Sequence, residues 1–309
     1  MLVSFVIPCY RSAHTIRGVV EELKGAMNAM PGYEAEFVLV NDCSPDDTFE
    51  VLREMAENDE RITAVDLAKN FGQHAAIMAG LRHSAGEIVV CLDDDGQTPG
   101  DEAGKLIRKL EEGYDVVYAE YAHKQHAAWR NLCTVINNRM TEIMLGKPRE
   151  LTITSYFAMR RFIVEEMLVY KNCYPYVEGL ILRATRRIGT VPVTHRAREE
   201  GESGYTLVKL FSLWMNGFTS FSVKPLRIAT YCGASAALIG FIYLIVILIK
   251  HFVDSSIPEG WASTMALMLL LGGIILLVLG MIGEYIGRVY MCINASPQYV
   301  ERQVIRKRG

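Results

Sequence analysis

Asp93, Asp94 and Asp95, followed by Gly96 and Gln97, are the residues whose types and spacing point most directly to chemistry. Neighbouring carboxylates repel one another unless something positive sits among them. A hard divalent cation, Mg²⁺ or Mn²⁺, answers that need with a few carboxylates and the phosphate oxygens of a substrate. In an extended stretch Asp93 and Asp95 share one face and Gln97 continues it. A metal on that face would stabilise a departing diphosphate. The competing reading is a solvated acidic turn ahead of a helix near Pro99, and an isolated Asp-x-Asp does not separate the two.

Such residues need a scaffold. Residues 3–7 form a short apolar run closed by Pro8, and residues 36–40, 62–67, 87–92 and 115–118 read as further strands with helical stretches between. After the first strand, Ile16, Val19, Val20, Leu23, Met27 and Met30 recur at helical spacing. Ser44-Pro45-Asp46-Asp47 has the composition of a helix start: a serine cap, proline at the first position, and acids at the positive end of the dipole. This alternation predicts an α/β fold with a parallel, doubly wound sheet, in which ligands bind beyond the carboxyl ends of the strands. Pro8, Cys9 and Tyr10 follow the first strand; Asn41, Asp42 and Cys43 the second; Lys69, Asn70 and Gly72 the third; the aspartates the fourth. Polar groups converge on one edge, which favours the metal site over the solvated turn.

Half of the 309 residues are hydrophobic and the net charge is −3. That balance makes no electrostatic case for nucleic-acid binding. Seven cysteines without a Cys-x-x-Cys pair suit a reducing cytosol, and the first residues lack the pattern of a signal peptide. Residues 230–249 and 262–282 are each long and apolar enough to cross a ~30 Å hydrocarbon core as a helix, joined by a polar turn containing Asp254, Pro258, Glu259 and Gly260. Lys224 and Arg227 precede the first span, and Arg288, Arg302, Arg306, Lys307 and Arg308 follow the second. The positive-inside rule then puts both ends in the cytoplasm. Leu207, Leu210, Phe211, Trp214 and Phe218 suit an amphipathic helix in the membrane interface, with a core helix of the soluble part as the alternative. The expected organisation is a cytoplasmic domain over residues 1–204, juxtamembrane amphipathic helices over 205–227, a two-helix transmembrane hairpin within 228–284 and a cytoplasmic tail over 285–309, in the inner (plasma) membrane.

No Gly-x-Gly-x-x-Gly follows the first strand and no ATPase phosphate loop is present, which disfavours dinucleotide and ATP chemistry. His74 and His126 lack metal-ligand spacing. Residues 5–10 (Phe-Val-Ile-Pro-Cys-Tyr), 40–48, 69–80, 92–99, 201–205 (Gly-Glu-Ser-Gly-Tyr), 283–290 and 297–300 together carry a resemblance that runs nearly end to end. The chain resembles the family 2, inverting, A-type-fold glycosyltransferases, whose sugar-nucleotide domain is Rossmann-like. Within them it resembles the polyprenyl-phosphate sugar transferases, a group that includes dolichol-phosphate mannose synthase, bacterial O-antigen-modifying glucosyl transferases and undecaprenyl-phosphate aminoarabinose transferase.

The resemblance implies a nucleotide-sugar donor, UDP being the expected nucleotide, and a polyprenyl phosphate acceptor such as undecaprenyl phosphate. It implies that Pro8, Tyr10 and Asp42 hold the nucleoside, with Lys69, Asp93, Asp94 and Arg198 completing the donor site. Asp93, Asp95 and Gln97 would ligate Mg²⁺ or Mn²⁺. Arg130, with Lys124 and Thr134, would grip the acceptor phosphate, and Asp93, Asp95 and Arg130 form the implied catalytic set. A homo-oligomer, a tetramer in relatives, is implied as well. A lipid monophosphate has a second pKa of ~6 and is substantially dianionic at pH 7, so it attacks the anomeric carbon without a strong base, and one displacement inverts that centre. The chain departs from the pattern in three places. Tyr121 stands where many relatives have arginine, Gly204 replaces a lysine, and residues 151–154 lack the usual acid, leaving Glu150 as the one candidate base there. The alternatives are a processive polysaccharide synthase and a non-catalytic membrane scaffold. Against the first, Trp129-Arg130 reverses the order of the processive motif; against the second, the carboxylates are intact.

Overall fold

The computed structural model describes residues 1–121, 142, 147–148, 151–194, 260–294 and 296–307, with single positions between 226 and 245. They belong to two compact units, Met1–Leu213 with Ala295–Gly309, and Trp214–Asn294.

Among the described residues, the first unit is built on an eight-stranded sheet. Its strands are β1 (Leu2–Cys9), β2 (Glu34–Asn41), β3 (Ile62–Leu67), β4 (Ile88–Cys91), β5 (Val116–Tyr121), β6 (Phe157–Arg160), β7 (Ile188–Val193) and β8 (Glu301–Arg306), in the order β7-β5-β6-β4-β1-β2-β3-β8. The described helices are α1 (Ile16–Asn28), α2 (Thr48–Asn58), α3 (Gln73–His83), α4 (Ala103–Glu111), α5 (Arg161–Val169) and α6 (Val177–Ala184). Strands β3, β2, β1 and β4 are parallel neighbours and fully buried over most of their length, which is why they read as continuous apolar runs. Val3, Phe5 and Ile7 of β1 share a core with Leu23 of α1, Leu52 of α2 and Leu106 of α4. Phe5 stacks on Phe37 of β2 with centroids 5.4 Å apart. Burying each such ring contributes about 1.5–3 kcal/mol.

The sheet is mixed rather than wholly parallel. Strand β6 inserts between β4 and β5 and runs antiparallel to both, and β8 pairs antiparallel with β3. Side-chain alternation is the same for either strand direction, so sequence periodicity could not report this. Helix α2 begins at Thr48, with Asp47 as its cap residue, not at Ser44-Pro45. Asp46 Oδ1 accepts from Thr48 Oγ1 at 2.7 Å, while Ser44 Oγ is engaged by the Arg11 N–H at 3.2 Å. The serine serves the neighbouring loop instead of capping the helix. Residues 301–306, read from sequence as part of a tail, form an edge strand. Its polar, charged composition suits an edge and forms no apolar run.

In the second unit a 33-residue helix, α7 (Trp261–Ile293), contains the stretch Leu271–Ile293. Among the described residues this is the one helix long and apolar enough to cross a membrane. It continues past residue 282, the expected end of the second span, because a polar residue ends an apolar run without ending a helix. Of residues 230–249, the described positions are helical, and Thr230 Oγ1 donates to Leu226 O at 3.0 Å. The rest of that span, and residues 205–225, lie outside the described residues.

Candidate active site

Chain order and spatial order together locate the site. From β1 the chain winds through β2 to β3 on one side, then returns to form β4 on the other side of β1. The crevice between the carboxyl ends of β1 and β4 is the switch point where α/β sheets bind ligands. One hydrogen bond closes it directly: the Tyr10 N–H, after β1, donates to Asp94 Oδ2, after β4, at 2.9 Å. Thr15 Oγ1 donates to the Asp94 carbonyl at 2.7 Å. Burial pushes the Asp94 carboxyl up to about 6, against the lowering effect of the Tyr10 N–H and with a further push from Asp93.

The aspartate run is a bend, not an extension of the strand. Asp95 Oδ1 accepts the Gln97 N–H at 3.1 Å, and Gly96 has φ +73°, the left-handed region that glycine enters without steric cost. The expectation that Asp93, Asp95 and Gln97 share a face by strand alternation therefore fails, because β4 ends at Cys91 and a side-chain-to-backbone turn takes over. Asp93 is held from two sides. Its Oδ1 accepts from Gln73 Nε2, at the start of α3, at 2.8 Å, and its Oδ2 accepts from Ser155 Oγ, just before β6.

At the ends of β1 and β2 the backbone is unusual in the same way twice. Arg11 (φ +59°) and Cys43 (φ +52°) are the non-glycine residues with positive φ among the described residues, and they follow Tyr10 and Asp42 directly. Such conformations persist where surrounding structure over-determines them, often at ligand sites. Pro8 is buried in β1, and the exposed Tyr10 ring lies 5.6 Å from the Arg11 guanidinium carbon. Asp42 is buried, and its carboxylate accepts the Phe71 N–H at 2.7 Å and the Gly72 N–H at 2.8 Å. Burial nevertheless raises its pKa, outweighing those two bonds. Each oxygen retains a lone pair beyond its amide partner. Lys69 Nζ sits 4.8 Å from the Phe71 ring centroid.

Tyr121, at the end of β5, belongs to the same site. Burial raises its phenol to about 12, a hydrogen bond from Thr98 opposes this, and the charges of both Asp93 and Asp95 add to the rise. The structure thus gathers Pro8, Tyr10, Asp42, Lys69 and residues 93–97 along one sheet edge. Lys124, Arg130, Thr134, Glu150, Arg198 and the segment 201–205 lie outside the described residues. Sequence reasoning missed Gln73 and Ser155 as supports of Asp93. Gln73 opens a helix just beyond β3, a position that could have flagged it; a single serine before β6 carries no such signal.

Among the described residues, no three His, Cys, Asp or Glu side chains gather as a ready-made metal cluster. Asp93 and Asp95, half-buried at the bend, keep carboxylate lone pairs beyond their hydrogen bonds and are the oxygen donors there. One or two carboxylates completed by substrate phosphates and water is how a Mg²⁺-type ion is held in nucleotide sites. The donor set fits a hard cation that arrives with a diphosphate.

Residues 4–168 match glycosyl transferase family 2, and residues 224–289 match the GtrB C-terminal hairpin. The chain is 35% identical over 300 residues to the uncharacterized glycosyltransferase YkcC of Bacillus subtilis, covering 96% of this chain and 92% of that protein. It is 33% identical over 311 residues to the undecaprenyl-phosphate 4-deoxy-4-formamido-L-arabinose transferase of Klebsiella pneumoniae, covering 99% and 94%. Among solved structures it is similar in fold to Mycobacterium tuberculosis glucosyl-3-phosphoglycerate synthase, crystallised with Mn²⁺, UDP-glucose and phosphoglyceric acid. There the TM-score is 0.52 at 16% identity, over 71% of this chain and 78% of the other.

Proposed function

We propose a function from one premise: the chain belongs to glycosyl transferase family 2. It transfers a sugar from a nucleotide sugar, UDP being the favoured carrier, to a polyprenyl phosphate such as undecaprenyl phosphate, with inversion at the anomeric carbon. The observation that carries this reading is the acidic bend at the switch point, with Asp93 braced by Gln73 and Ser155. Further support comes from the near full-length similarity to transferases named for undecaprenyl phosphate and from the hairpin match over residues 224–289.

In this reading Pro8, Tyr10 and Asp42 hold the nucleoside, and Lys69 and Arg198 neutralise the diphosphate. Asp93 and Asp95, with Gln97, hold Mg²⁺ or Mn²⁺, which when bound supplies positive charge to the leaving diphosphate. Arg130, Lys124 and Thr134 grip the acceptor phosphate; an arginine fork matches phosphate geometry. A phosphate oxygen of the lipid forms the new bond to the anomeric carbon as the bond to the diphosphate breaks on the opposite face. The protein's tasks are alignment and charge stabilisation.

The acceptor fixes the location. The proposed membrane spans are residues 230–249 and 262–282, the proposed interfacial segment is residues 205–224, and transfer to the lipid phosphate is proposed on the cytoplasmic side of the inner membrane. Exposed Leu271, Ile275, Leu276 and Leu279 on α7 support burial of that helix in lipid. A tetramer is the proposed assembly.

The test is a screen of UDP- and GDP-sugars with the purified full-length protein, undecaprenyl phosphate and Mn²⁺. Glycolipid should form with one donor class. A failure of every donor, or growth of a polymer instead of a single addition, overturns the reading.

A further inference from the structure

We infer that Arg302, on the strand that follows the apolar helix, is a positioning residue for the donor site. Acting through Asp66 and Asn41, it fixes the two loops that carry Asp42 and Lys69. The inference rests on the proposal that this edge binds a nucleoside diphosphate.

Asp66 lies near the end of β3 and is 2% exposed. A carboxylate so buried needs partners for both oxygens. Oδ1 accepts from Asn41 Nδ2 at 2.7 Å and Oδ2 from Arg302 Nη1 at 3.1 Å. Because the Asn41 amide nitrogen is committed to Asp66, its Oδ1 faces the other way and accepts the Ser44 N–H at 3.1 Å. Ser44 Oγ in turn accepts the Arg11 N–H at 3.2 Å. One guanidinium is thus linked, group by group, to the loops after β2 and β1.

Its second arm reaches the loop after β3. Arg302 Nη2 donates to Ala68 O at 3.1 Å, and the Ala68 N–H donates to Val300 O at 2.8 Å. Both backbone groups of the residue before Lys69 are therefore held by the segment at β8. Asp42 takes its two amide bonds from Phe71 and Gly72 of this same loop. The ladder itself is adjusted for the purpose. Asp66 pairs with Gln303 and Leu67 with Glu301, so the register skips Arg302. A bulge of this kind re-aims the side chain of the extra residue.

Arg306 supplies an internal control. It sits on the same strand and donates to Thr63 Oγ1 and to His83 O, both at 2.8 Å, towards the opposite end of β3.

The experiment titrates UDP, and separately GDP, into the full-length protein in detergent with Mn²⁺ and no acceptor, by calorimetry. Arg302→Ala should weaken binding of the preferred nucleotide by about tenfold, while Arg306→Ala, at a temperature where both are folded, stays within about twofold of wild type. Arg302→Lys keeps the charge but cannot span Asp66 and Ala68 together. It should give an intermediate loss, and it serves as the readout if the alanine variant does not fold. Equal affinities for wild type and the Arg302 variants, or equal losses at Arg302 and Arg306, overturn the inference while leaving the donor site standing. A wild type that binds neither nucleotide overturns the donor reading and this inference with it.

Discussion

Replacing Gln73 with alanine removes the N–H that holds Asp93 Oδ1 at 2.8 Å. A hydrogen bond to a charged group contributes about 1.5–3 kcal/mol. Gln73 is exposed, so water replaces part of what is lost, and the lower end of that range, about 1.5 kcal/mol, is the expected cost. At about 1.4 kcal/mol per factor of ten, kcat/KM for the donor should fall roughly tenfold. Ser155 still holds the other oxygen, so activity should not vanish. Alanine is the better helix former at the start of α3, so the thermal midpoint should not drop, which separates the effect from unfolding. Initial rates of glycolipid formation at subsaturating donor, with a melting curve beside them, make the measurement. Combining Gln73→Ala with Asp93→Asn should reveal a coupling above about 0.5 kcal/mol. A kcat/KM within about twofold of wild type, or strictly additive losses in the double variant, would show that Gln73 does not act through Asp93.

Other consequences can be tested separately. A Cβ at Gly86 would meet Ser4 Oγ at 2.6 Å and the backbone Leu2 O and Ser4 N at 2.7 Å, so Gly86→Ala should destabilise by about 1–3 kcal/mol, read as a lower melting temperature with activity per folded molecule retained. Arg61, assisted by Lys24, holds the Asp59 carboxyl well below the usual carboxylate range against the opposing effect of burial. A depressed folded pKa contributes stability above the unfolded value near 4 that is lost as pH falls towards the folded one. Asp59→Asn should therefore cost about 1 kcal/mol at neutral pH and flatten the acid limb of the stability curve; identical acid limbs would contradict this. Arg130→Ala should raise the KM for lipid phosphate far more than that for nucleotide sugar, and the reverse pattern would move Arg130 to the donor side.

The features legible in sequence were those with local signatures. Strand β3 coincides with its apolar run, and the polar residues after β1, β2 and β4 reach one edge because parallel strands share a direction. What escaped depends on contacts distant in sequence. The directions of β6 and β8 leave no trace in alternation. Ser155 reaches Asp93 across 62 positions, and Arg302 reaches Asp66 across 236. Helix α2 starts after Ser44-Pro45 because Ser44 has a competing use, the Arg11 N–H, that no local pattern encodes. The bend at Gly96 departs from the expected extension for a related reason: a turn held by Asp95 and Gln97 replaces strand geometry where β4 stops.

Sugar transfer to a polyprenyl phosphate at the acidic bend is the reaction proposed for the chain. It is tested most directly by mass spectrometry of lipid extracts after incubating nucleotide sugar, undecaprenyl phosphate and Mn²⁺ with wild-type protein or with Asp95→Ala. The expected outcome is a lipid phosphate carrying one added sugar from the wild type and none from the variant, with both proteins equally inserted in membrane. Equal product from Asp95→Ala would contradict it.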